Sequence, residues 1–147
     1  MLVRQVLYTS QAVSLLSAEE RNDILRTSYI NNARDDITGY LISLDNGSFL
    51  QILEGPHDAV AQSLQRISND SRHSGLTIIY DEEADERACA EWLMGFHAIT
   101  LSEVSEMPAF RNLATDADFE ALFQDGPVVL AVMRTVSNAN RYRQGLR

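Results

Sequence analysis

The sequence predicts an α+β fold, because five strand patterns and two helix patterns alternate within its first hundred residues. The strand patterns are short apolar stretches rich in β-branched and aromatic residues, and the helix patterns repeat apolar residues every three or four positions. Their order is β-α-β-β-α-β-β, which indicates a ferredoxin-like sandwich with both helices on one face of the sheet. Two further helix patterns follow after residue 100.

The first strand is predicted over residues 2–9, and the first helix begins after Ser17. Ser17 and Glu20 form a capping box, in which each side chain accepts a hydrogen bond from the other residue's backbone N–H. The helix is expected to run to about Asn32. Its residues available for burial are Ile24, Leu25 and Ile30.

A β-hairpin is predicted next, with strands over residues 37–44 and 48–54. Asn46-Gly47 between them is typical of a two-residue turn, since both residues tolerate positive φ. A right-handed crossover through the first helix then predicts that strands one and three lie side by side and parallel.

Gly55-Pro56 opens the second predicted helix, whose apolar residues recur at helical spacing. Its buried face carries Val60, Leu64 and Ile67. The remaining segments are strand four over residues 75–81, an acidic loop over 82–87 and strand five over 91–99.

The chain is therefore expected to divide into a domain over residues 1–100 and a helical extension over 101–147. The extension contains a helix pattern within residues 108–124 and a second one that starts at Gly126-Pro127, where Pro suits the first helical position. Because this last helix is unusually apolar, we expect it to pack on the domain, on a partner or on a second copy of the chain.

The charge balance argues against nucleic-acid and membrane partners, because the formal net charge is −9 and the first hundred residues carry no basic stripe. All 12 basic residues are Arg, which excludes Schiff-base chemistry and a P-loop lysine. Cys89 is the single cysteine, so no internal disulfide can form. With no membrane-spanning apolar stretch and an N-terminus that enters a strand pattern directly, we expect a soluble cytoplasmic protein without a signal peptide.

Motifs for catalysis and metal binding are missing from the sequence. His57, His73 and His97 are scattered without the spacing of metal ligands, so we predict no metal site. There is no G-x-G-x-x-G fingerprint, Walker A loop or nucleophile elbow.

Strand three is the most informative segment, because both of its faces are apolar and yet it carries Gln51. A buried amide is costly unless its donors and its acceptor oxygen find partners. Tyr8 of strand one should face Gln51, and a buried Tyr usually finds a partner for its hydroxyl. From pattern alone, a Gln satisfied by nearby backbone and an ordinary core Tyr remain the better explanations. The same holds for the aromatic and Met stripe of residues 92–96, the Asn pair 31–32 at a helix end and the polar loop 70–73.

These groups occur together in one known family. The sequence resembles the BLUF domain of flavin-binding blue-light photoreceptors over about residues 2–100, roughly two thirds of the chain. Each motif is weak alone, but their order and spacing together are specific. The motifs are Leu7-Tyr8-Thr9-Ser10-Gln11, Asn31-Asn32 followed by Ile37-Thr38-Gly39, Phe49-Leu50-Gln51-Ile52-Leu53-Glu54-Gly55, Asp70-Ser71-Arg72-His73 and Trp92-Leu93-Met94.

The resemblance implies a non-enzymatic blue-light photoreceptor that binds FAD, with FMN or riboflavin able to substitute. It implies that Tyr8 gives an electron and a proton to the photoexcited flavin and that Gln51 rearranges its hydrogen bonds in response. Trp92 and Met94, on one face of strand five, would relay the signal. The C-terminal helices, on the sheet face away from the flavin, would carry it to a partner or to a homo-oligomer interface.

The resemblance also implies the residues that hold the flavin. Asn32, assisted by Asn31, would bond the polar edge of the ring, and Arg72 would lie near its pyrimidine side. Ile24 and Ile67, one on each helix, would sandwich the ring. The whole expected set is Tyr8, Ser10, Ile24, Asn31, Asn32, Gln51, Ile67, Asp70, Arg72, His73 and Met94.

Three alternatives remain open at this point. An acylphosphatase-like hydrolase would need a Gly-rich anion-binding loop after strand one, which residues 10–13 do not provide. A dimerisation module using the apolar last helix would have no need of a Gln in a buried strand. A flavin-binding domain without photoactivity is disfavoured by the presence of both Tyr8 and Gln51.

Overall fold

The computed structural model describes residues 2–14, 17–45, 47–106, 129–131 and 133–136. Within them it has the predicted order of five strands and two helices, so the α+β fold class is confirmed. The elements are β1 (Val3–Ala12), α1 (Ala18–Asp35), β2 (Thr38–Leu44), β3 (Ser48–Gly55), α2 (His57–Ser68), β4 (His73–Ala84), β5 (Gly95–Ile99) and a short α3 (Leu101–Glu106). Residues 129–131 and 133–136 are also helical and are called the C-terminal helical segment below.

The five strands form one sheet in the order β4-β1-β3-β2-β5. Strands β1 and β3 are neighbours as expected, but the prediction that they are parallel is wrong, because they pair antiparallel. The crossover through α1 joins β1 to β2, and β3 inserts between these two strands and pairs antiparallel with both. The crossover rule therefore applies to β1 and β2, which are parallel to each other but not adjacent.

The hairpin between β2 and β3 has the predicted strand ends but not the predicted two-residue turn. Strand β2 ends at Leu44 and β3 begins at Ser48, so the loop has three residues. The backbone N–H of Gly47 donates to the carbonyl of Leu44 at 3.0 Å, and Gly47 has a φ of 88°. A positive-φ residue that follows a turn is typical of three-residue hairpin loops. Asn46, on which the two-residue prediction also rested, lies outside the described residues.

Strand β4 is longer than predicted and takes in part of the expected acidic loop. Glu82 and Glu83 pair in register with Gln5 and Arg4 of β1. The side chain of Arg4 also forms an ion pair with Asp81 at 2.7 Å. Pairing along the whole length of β1 thus extends a segment whose acidic composition by itself suggests a loop.

Helix α1 has the predicted capping box and continues to Asp35, where Asp36 ends it with a φ of 57°. The prediction that Ile30 is available for burial was wrong, because its side chain is 61% exposed. The side chains of Ile24 and Asn31 face the sheet, and a six-residue step from Ile24 places Ile30 about 120° around the helix.

The sheet carries a hydrophobic cluster on each face. Val6, Leu53 and Val60 belong to the cluster under α2. On the other face, β1, β2 and β3 pack against the loop before β5 and the C-terminal helical segment. That cluster includes Leu7, Tyr40, Ile42, Leu50, Ile52, Cys89, Trp92, Val129, Leu130, Met133 and Val136.

The C-terminal helical segment therefore lies on the sheet face opposite α2. The predicted helix within residues 108–124 and the helix start at Gly126-Pro127 lie outside the described residues. Among the residues that the structure describes, no helix is long and apolar enough to cross a membrane.

Truncation of Met133 tests this packing. Its side chain is fully buried, so Met133→Ala should lower the free energy of unfolding by about 2–5 kcal/mol, measured by urea denaturation. Thr135→Ala is the matched control, because Thr135 is exposed on the same segment, and it should change stability by less than about 0.5 kcal/mol. Equal effects of the two substitutions would contradict the docking of the segment.

Candidate functional site

A cavity of about 530 Å³ lies between helices α1 and α2 and the sheet face that they cover. This volume falls in the ordinary range for small-molecule and cofactor sites. Strands β1, β2 and β3 form its floor with alternate residues such as Tyr8, Leu41 and Gln51. Helices α1 and α2 provide its walls with Ile24 and Ile67.

Eleven residues expected from the sequence to contact a cofactor all line this cavity. They come from five elements, the loop between α2 and β4 and the segment before β5, so the fold brings together positions spread from β1 to the start of β5. They are Tyr8, Ser10, Ile24, Asn31, Asn32, Gln51, Ile67, Asp70, Arg72, His73 and Met94.

Tyr8 and Gln51 are directly opposite each other in the antiparallel register of β1 and β3, and both are buried. The Tyr8 hydroxyl donates a hydrogen bond to Oε1 of Gln51. The Gln51 Nε2 group in turn lies 3.4 Å from Sδ of Met94. Burial, together with the nearby charge of Asp70, raises the pKa of the Tyr8 phenol, so the hydroxyl keeps its proton at neutral pH.

Ser10 lies two residues further along β1 on the same face and also lines the cavity. Its hydroxyl is buried and is the one such side-chain atom in the described part of the chain without a hydrogen-bond partner. A buried hydroxyl without a partner costs free energy unless a ligand or water bonds to it. The position of Ser10 therefore indicates that the cavity is shaped for a group with polar atoms.

Asn32 is buried at the end of α1 and joins the cavity wall to the segment before β5. Its Nδ2 group donates to the carbonyl of Leu93 at 2.5 Å. Its own backbone carbonyl accepts bonds from the N–H groups of Asp36 and Ile37, which end the helix. The amide has a second N–H and a carbonyl oxygen with which it can contact a ligand.

The loop after α2 brings a charged pair to the mouth of the cavity. Asp70 accepts hydrogen bonds from both the backbone and the guanidinium of Arg72, the shortest at 2.6 Å. These bonds hold the pKa of the Asp70 carboxyl below its usual range and raise the pKa of Arg72, although burial opposes both shifts. The His73 ring nitrogen Nε2 lies 2.7 Å from the carbonyl of Ile67, which fixes the loop to the helix.

Trp92 and Met94 do not share a strand face, so that expectation was wrong. Strand β5 begins only at Gly95, because Trp92 takes part in a turn with Cys89 and accepts a bond from the Gly39 N–H at 2.9 Å. Met94 faces the cavity. Trp92 lies in the cluster on the opposite face, edge-on to Tyr40 with ring centroids 5.3 Å apart.

Sequence reasoning missed other lining residues, among them Arg21, Ser63, Arg66 and Phe96. The guanidinium of Arg21 lies 5.5 Å from the centroid of the Phe96 ring. A search for apolar helix faces passes over such positions, because the face of a helix that borders a cavity combines polar and apolar residues. The spacing of Arg21, Ile24, Ser28 and Asn31 on one helical face was the available signal.

Comparison with known proteins identifies the family. A model of the family described as "BLUF: Sensors of blue-light using FAD" matches residues 3–95. This chain belongs to the BLUF family. The matched region includes all eleven cavity residues named above and stops at the start of β5.

Curated relatives contain the region similar to this chain within much longer proteins. The photoactivated adenylate cyclase subunit beta of Euglena gracilis is 40% identical over 88 residues, which are 59% of this chain and 10% of that protein. The same protein of Euglena longa is 39% identical over 88 residues, with the same coverage. This chain thus spans about a tenth of the length of these curated relatives.

Solved structures support the same fold. The dark-state structure of BlrB, a BLUF protein, superimposes with a TM-score of 0.73 at 25% identity and covers 93% of this chain and 96% of its own. A bacterial light-regulated adenylyl cyclase superimposes with a TM-score of 0.63 at 28% identity and covers 97% of this chain but 36% of its own.

The cavity fits the flavin that BLUF domains bind. Its walls include aliphatic side chains from both helices, Ile24 and Ile67, which suit the faces of a flat aromatic ring. Its floor includes the buried Ser10 hydroxyl without a partner and the amide of Gln51, and its wall includes the amide of Asn32, which suit the ring's polar edge. Among the described residues, no group of His, Cys, Asp and Glu is arranged to hold a metal ion.

The Asp70–Arg72 pair should make stability depend on pH in acid. The folded-state pKa of Asp70 is lowered, so the pair stabilises the fold above the unfolded-state pKa of about 3.9 and loses this contribution as the pH falls further. In the flavin-free protein, Asp70→Asn should lower Tm at pH 7, and its difference from the parent should shrink below about pH 4.

Thermal unfolding followed by circular dichroism between pH 7 and pH 2 measures this difference. Asp85→Asn, which changes an exposed carboxyl in the loop after β4, is the control and should give no comparable pH-dependent difference. If the Asp70→Asn difference stays constant across the range, the pair does not act through the charge of Asp70.

Proposed function

We propose that this chain senses blue light through a flavin held in the cavity between α1, α2 and the sheet, and that it signals by a conformational change rather than by catalysis. The observation that carries the proposal is the buried contact chain from the Tyr8 hydroxyl through the Gln51 amide to Sδ of Met94. Membership of the BLUF family supplies the light-sensing context.

The cofactor we propose is FAD, which the family description names. FMN or riboflavin could replace it, because the proposed contacts are with the ring that all three share. Asn31 and Asn32 would bond the ring's polar edge, and Ile24 and Ile67 would pack on its two faces. Arg72, bonded by Asp70 and with His73 as a neighbour, would lie near the pyrimidine side. These roles agree with the position of each side chain on the cavity wall.

Tyr8 is the proposed donor of an electron and a proton. When bound, the flavin absorbs blue light and becomes a strong electron acceptor. Loss of an electron makes the Tyr8 phenol far more acidic, and its proton already lies in a hydrogen bond to Oε1 of Gln51. The electron and the proton would then return to Tyr8, so that both redox partners recover their starting states and only the hydrogen bonds of Gln51 differ. The raised pKa of Tyr8 keeps this proton in place until light arrives.

Gln51 is the proposed switch because its amide has both donors and an acceptor. Rotation of the amide would bring Nε2 to face Tyr8 and Oε1 to face Met94, whereas tautomerisation would move a proton from Nε2 to Oε1 and leave both atoms in place. In either case a donor would face the Tyr8 hydroxyl. The Tyr8 hydroxyl cannot donate to a donor, so it would have to accept a hydrogen bond from Gln51 instead of donating one. The contact with Met94 would change at the same time, which moves the signal towards β5.

The proposed output passes from Met94 through the segment before β5 to the C-terminal helical segment. The cluster that contains Trp92 and Met133 joins these two parts of the chain. We propose that residues 1–100 are the sensor and residues 101–147 the output region, which contacts a signalling partner or a second copy of the chain in the cytoplasm.

Visible spectroscopy tests the photoreceptor function. The flavin-loaded protein should show a flavin spectrum in the dark and a small, reversible red shift after blue light. Tyr8→Phe and Gln51→Leu should abolish this shift without unfolding the protein, because each removes one partner of the proposed switch.

Tyr29→Phe and Gln62→Leu make the same chemical changes at exposed positions and should preserve the shift. A colourless protein that takes up no added flavin would refute the proposal. A yellow protein without a light response would retain the cofactor but refute the switch.

Ser10→Ala tests whether the cavity is shaped for a polar ligand. Without flavin, the substitution removes a buried hydroxyl that lacks a partner, so the free energy of unfolding should rise by up to about 1–3 kcal/mol. With flavin, it removes a hydrogen bond, so the affinity should fall roughly 2- to 10-fold. Calorimetry and fluorescence titration measure the two effects, with Ser71→Ala at an exposed position as the control. A loss of stability in the flavin-free protein would show that the hydroxyl has a protein partner.

A further inference from the structure

The segment between β4 and β5 is held to the sheet by specific hydrogen bonds, although it has no regular secondary structure. The guanidinium of Arg87 donates to the carbonyl of Asp36 at 2.9 Å and to Oγ1 of Thr38 at 3.1 Å. Further along the segment, the carbonyl of Trp92 accepts a hydrogen bond from the Gly39 N–H at 2.9 Å, and the carbonyl of Leu93 accepts one from Nδ2 of Asn32 at 2.5 Å. This segment leads directly to Met94 and hence to the proposed switch.

Glu54 is the buried group at the centre of these contacts. Its side chain is fully buried, and both of its carboxyl oxygens accept hydrogen bonds. The backbone N–H of Cys89 donates to Oε1 at 2.8 Å. The backbone N–H of Ala88 and the side-chain amide of Gln5 donate to Oε2 at 2.5 Å and 2.8 Å. Three donors therefore meet one carboxyl group, and two of them belong to the segment before β5.

The Gln5–Glu54 pair and the Tyr8–Gln51 pair occupy the same two strands. Gln5 is opposite Glu54 and Tyr8 is opposite Gln51 in the one register of β1 and β3. The two pairs are three residues apart along each strand, so their side chains lie on opposite faces of the sheet. The switch pair faces the cavity, and the Glu54 pair lies on the sheet face that carries the C-terminal helical segment.

The groups bound by Glu54 connect directly to the far-face cluster. Cys89 is buried in that cluster, and its carbonyl accepts a bond from the Trp92 N–H at 3.0 Å. Trp92 packs in the same cluster as Met133 and Val129 of the C-terminal helical segment. The bonds of Glu54 therefore fix the backbone that leads to Trp92, which shares a cluster with the segment on one face, and to Met94, which contacts Gln51 on the other face.

We propose that Glu54, supported by Gln5, is a positioning residue that anchors residues 88–92 and so sets the place of Met94 beside Gln51 and of Trp92 against the C-terminal helical segment. It acts as a fixed point for the proposed output, and it contacts neither the cavity nor the switch pair. The part that concerns Met94 and Gln51 rests on the proposed function, whereas the anchoring of Trp92 does not.

Glu54→Gln tests this role with little change in shape. A glutamine has one acceptor oxygen and an NH₂ group, so it cannot accept bonds from all three N–H donors and brings a donor against a donor. In the dark, flavin-free protein, the amides of Ala88 and Cys89 should then exchange with solvent about tenfold faster or more. Trp92 is the single tryptophan, so its fluorescence reports the segment directly, and its emission should move to longer wavelength.

Glu82→Gln is the matched control, because Glu82 faces Gln5 from the other neighbouring strand and is exposed. It should change neither readout. The exchanged pair Gln5→Glu with Glu54→Gln keeps one carboxyl and one amide between the strands but puts the carboxyl on β1. A buried pair with only a structural role would recover in this double variant, whereas an anchor at position 54 would not.

In the flavin-loaded protein, Glu54→Gln should retain the dark spectrum and the size of the light-induced red shift, because Tyr8 and Gln51 lie on the other face. The rate of recovery in the dark should change, and Glu82→Gln should recover at the parent rate. Loss of the flavin spectrum in the parent protein would refute the proposed function but leave the fluorescence and exchange results as a test of the anchor.

Two outcomes would overturn the anchor. One is that Glu54→Gln leaves the Trp92 emission and the exchange of both amides as in the parent. The other is that these amides of the parent protein exchange as fast as those of the exposed residues 85 and 86. The second measurement needs no variant, so it decides the question even if Glu54→Gln does not fold. Gln5→Met, which removes one of the three bonds, should give a smaller change in the same direction.

Discussion

The site depends above all on the antiparallel pairing of β1 with β3 at the centre of the sheet. Each of these strands has a neighbour on both sides, so its backbone is bonded in two directions and its register is strongly fixed. A slip by one residue would turn every side chain to the other face. The register therefore determines that Tyr8 meets Gln51 and that Gln5 meets Glu54.

The buried polar groups on the two faces of the sheet differ in how they are hydrogen-bonded. Each face buries polar groups among apolar side chains, which is costly unless those groups are hydrogen-bonded. On the far face, Glu54 receives donors from Gln5 and from two backbone N–H groups. On the near face, the hydroxyl of Ser10 has no partner within the described protein. The near face thus leaves a hydroxyl that a ligand or water can bond, whereas both carboxyl oxygens of Glu54 on the far face are already bonded within the protein.

Much of the fold could be predicted, because helix capping and apolar periodicity are local signals. The capping box at Ser17 began α1 as expected. Three predictions were wrong: the start of β5, the length of β4 and the direction of the β1–β3 pair. Each of these features depends on a partner distant in sequence. The spacing of Trp92 and Met94 is typical of one face of a strand. However, the backbone of Trp92 bonds to Cys89 and Gly39, which makes it part of a turn, and its ring packs on the sheet face opposite Met94.

By itself, the sequence determined the fold class and the BLUF resemblance, because both follow from residue types at fixed spacing, and the resemblance in turn implied eleven of the residues that line the cavity. Their position on the cavity wall follows from the fold; their roles towards a flavin stay proposals. Only the tertiary structure decided which polar groups are paired. The hydroxyl of Ser10 and the carboxyl of Glu54 are both polar groups in buried strands, and no local pattern distinguishes them. The difference arises because the segment before β5 brings the backbone N–H groups of residues 88 and 89 to Glu54, a contact across more than thirty residues of chain.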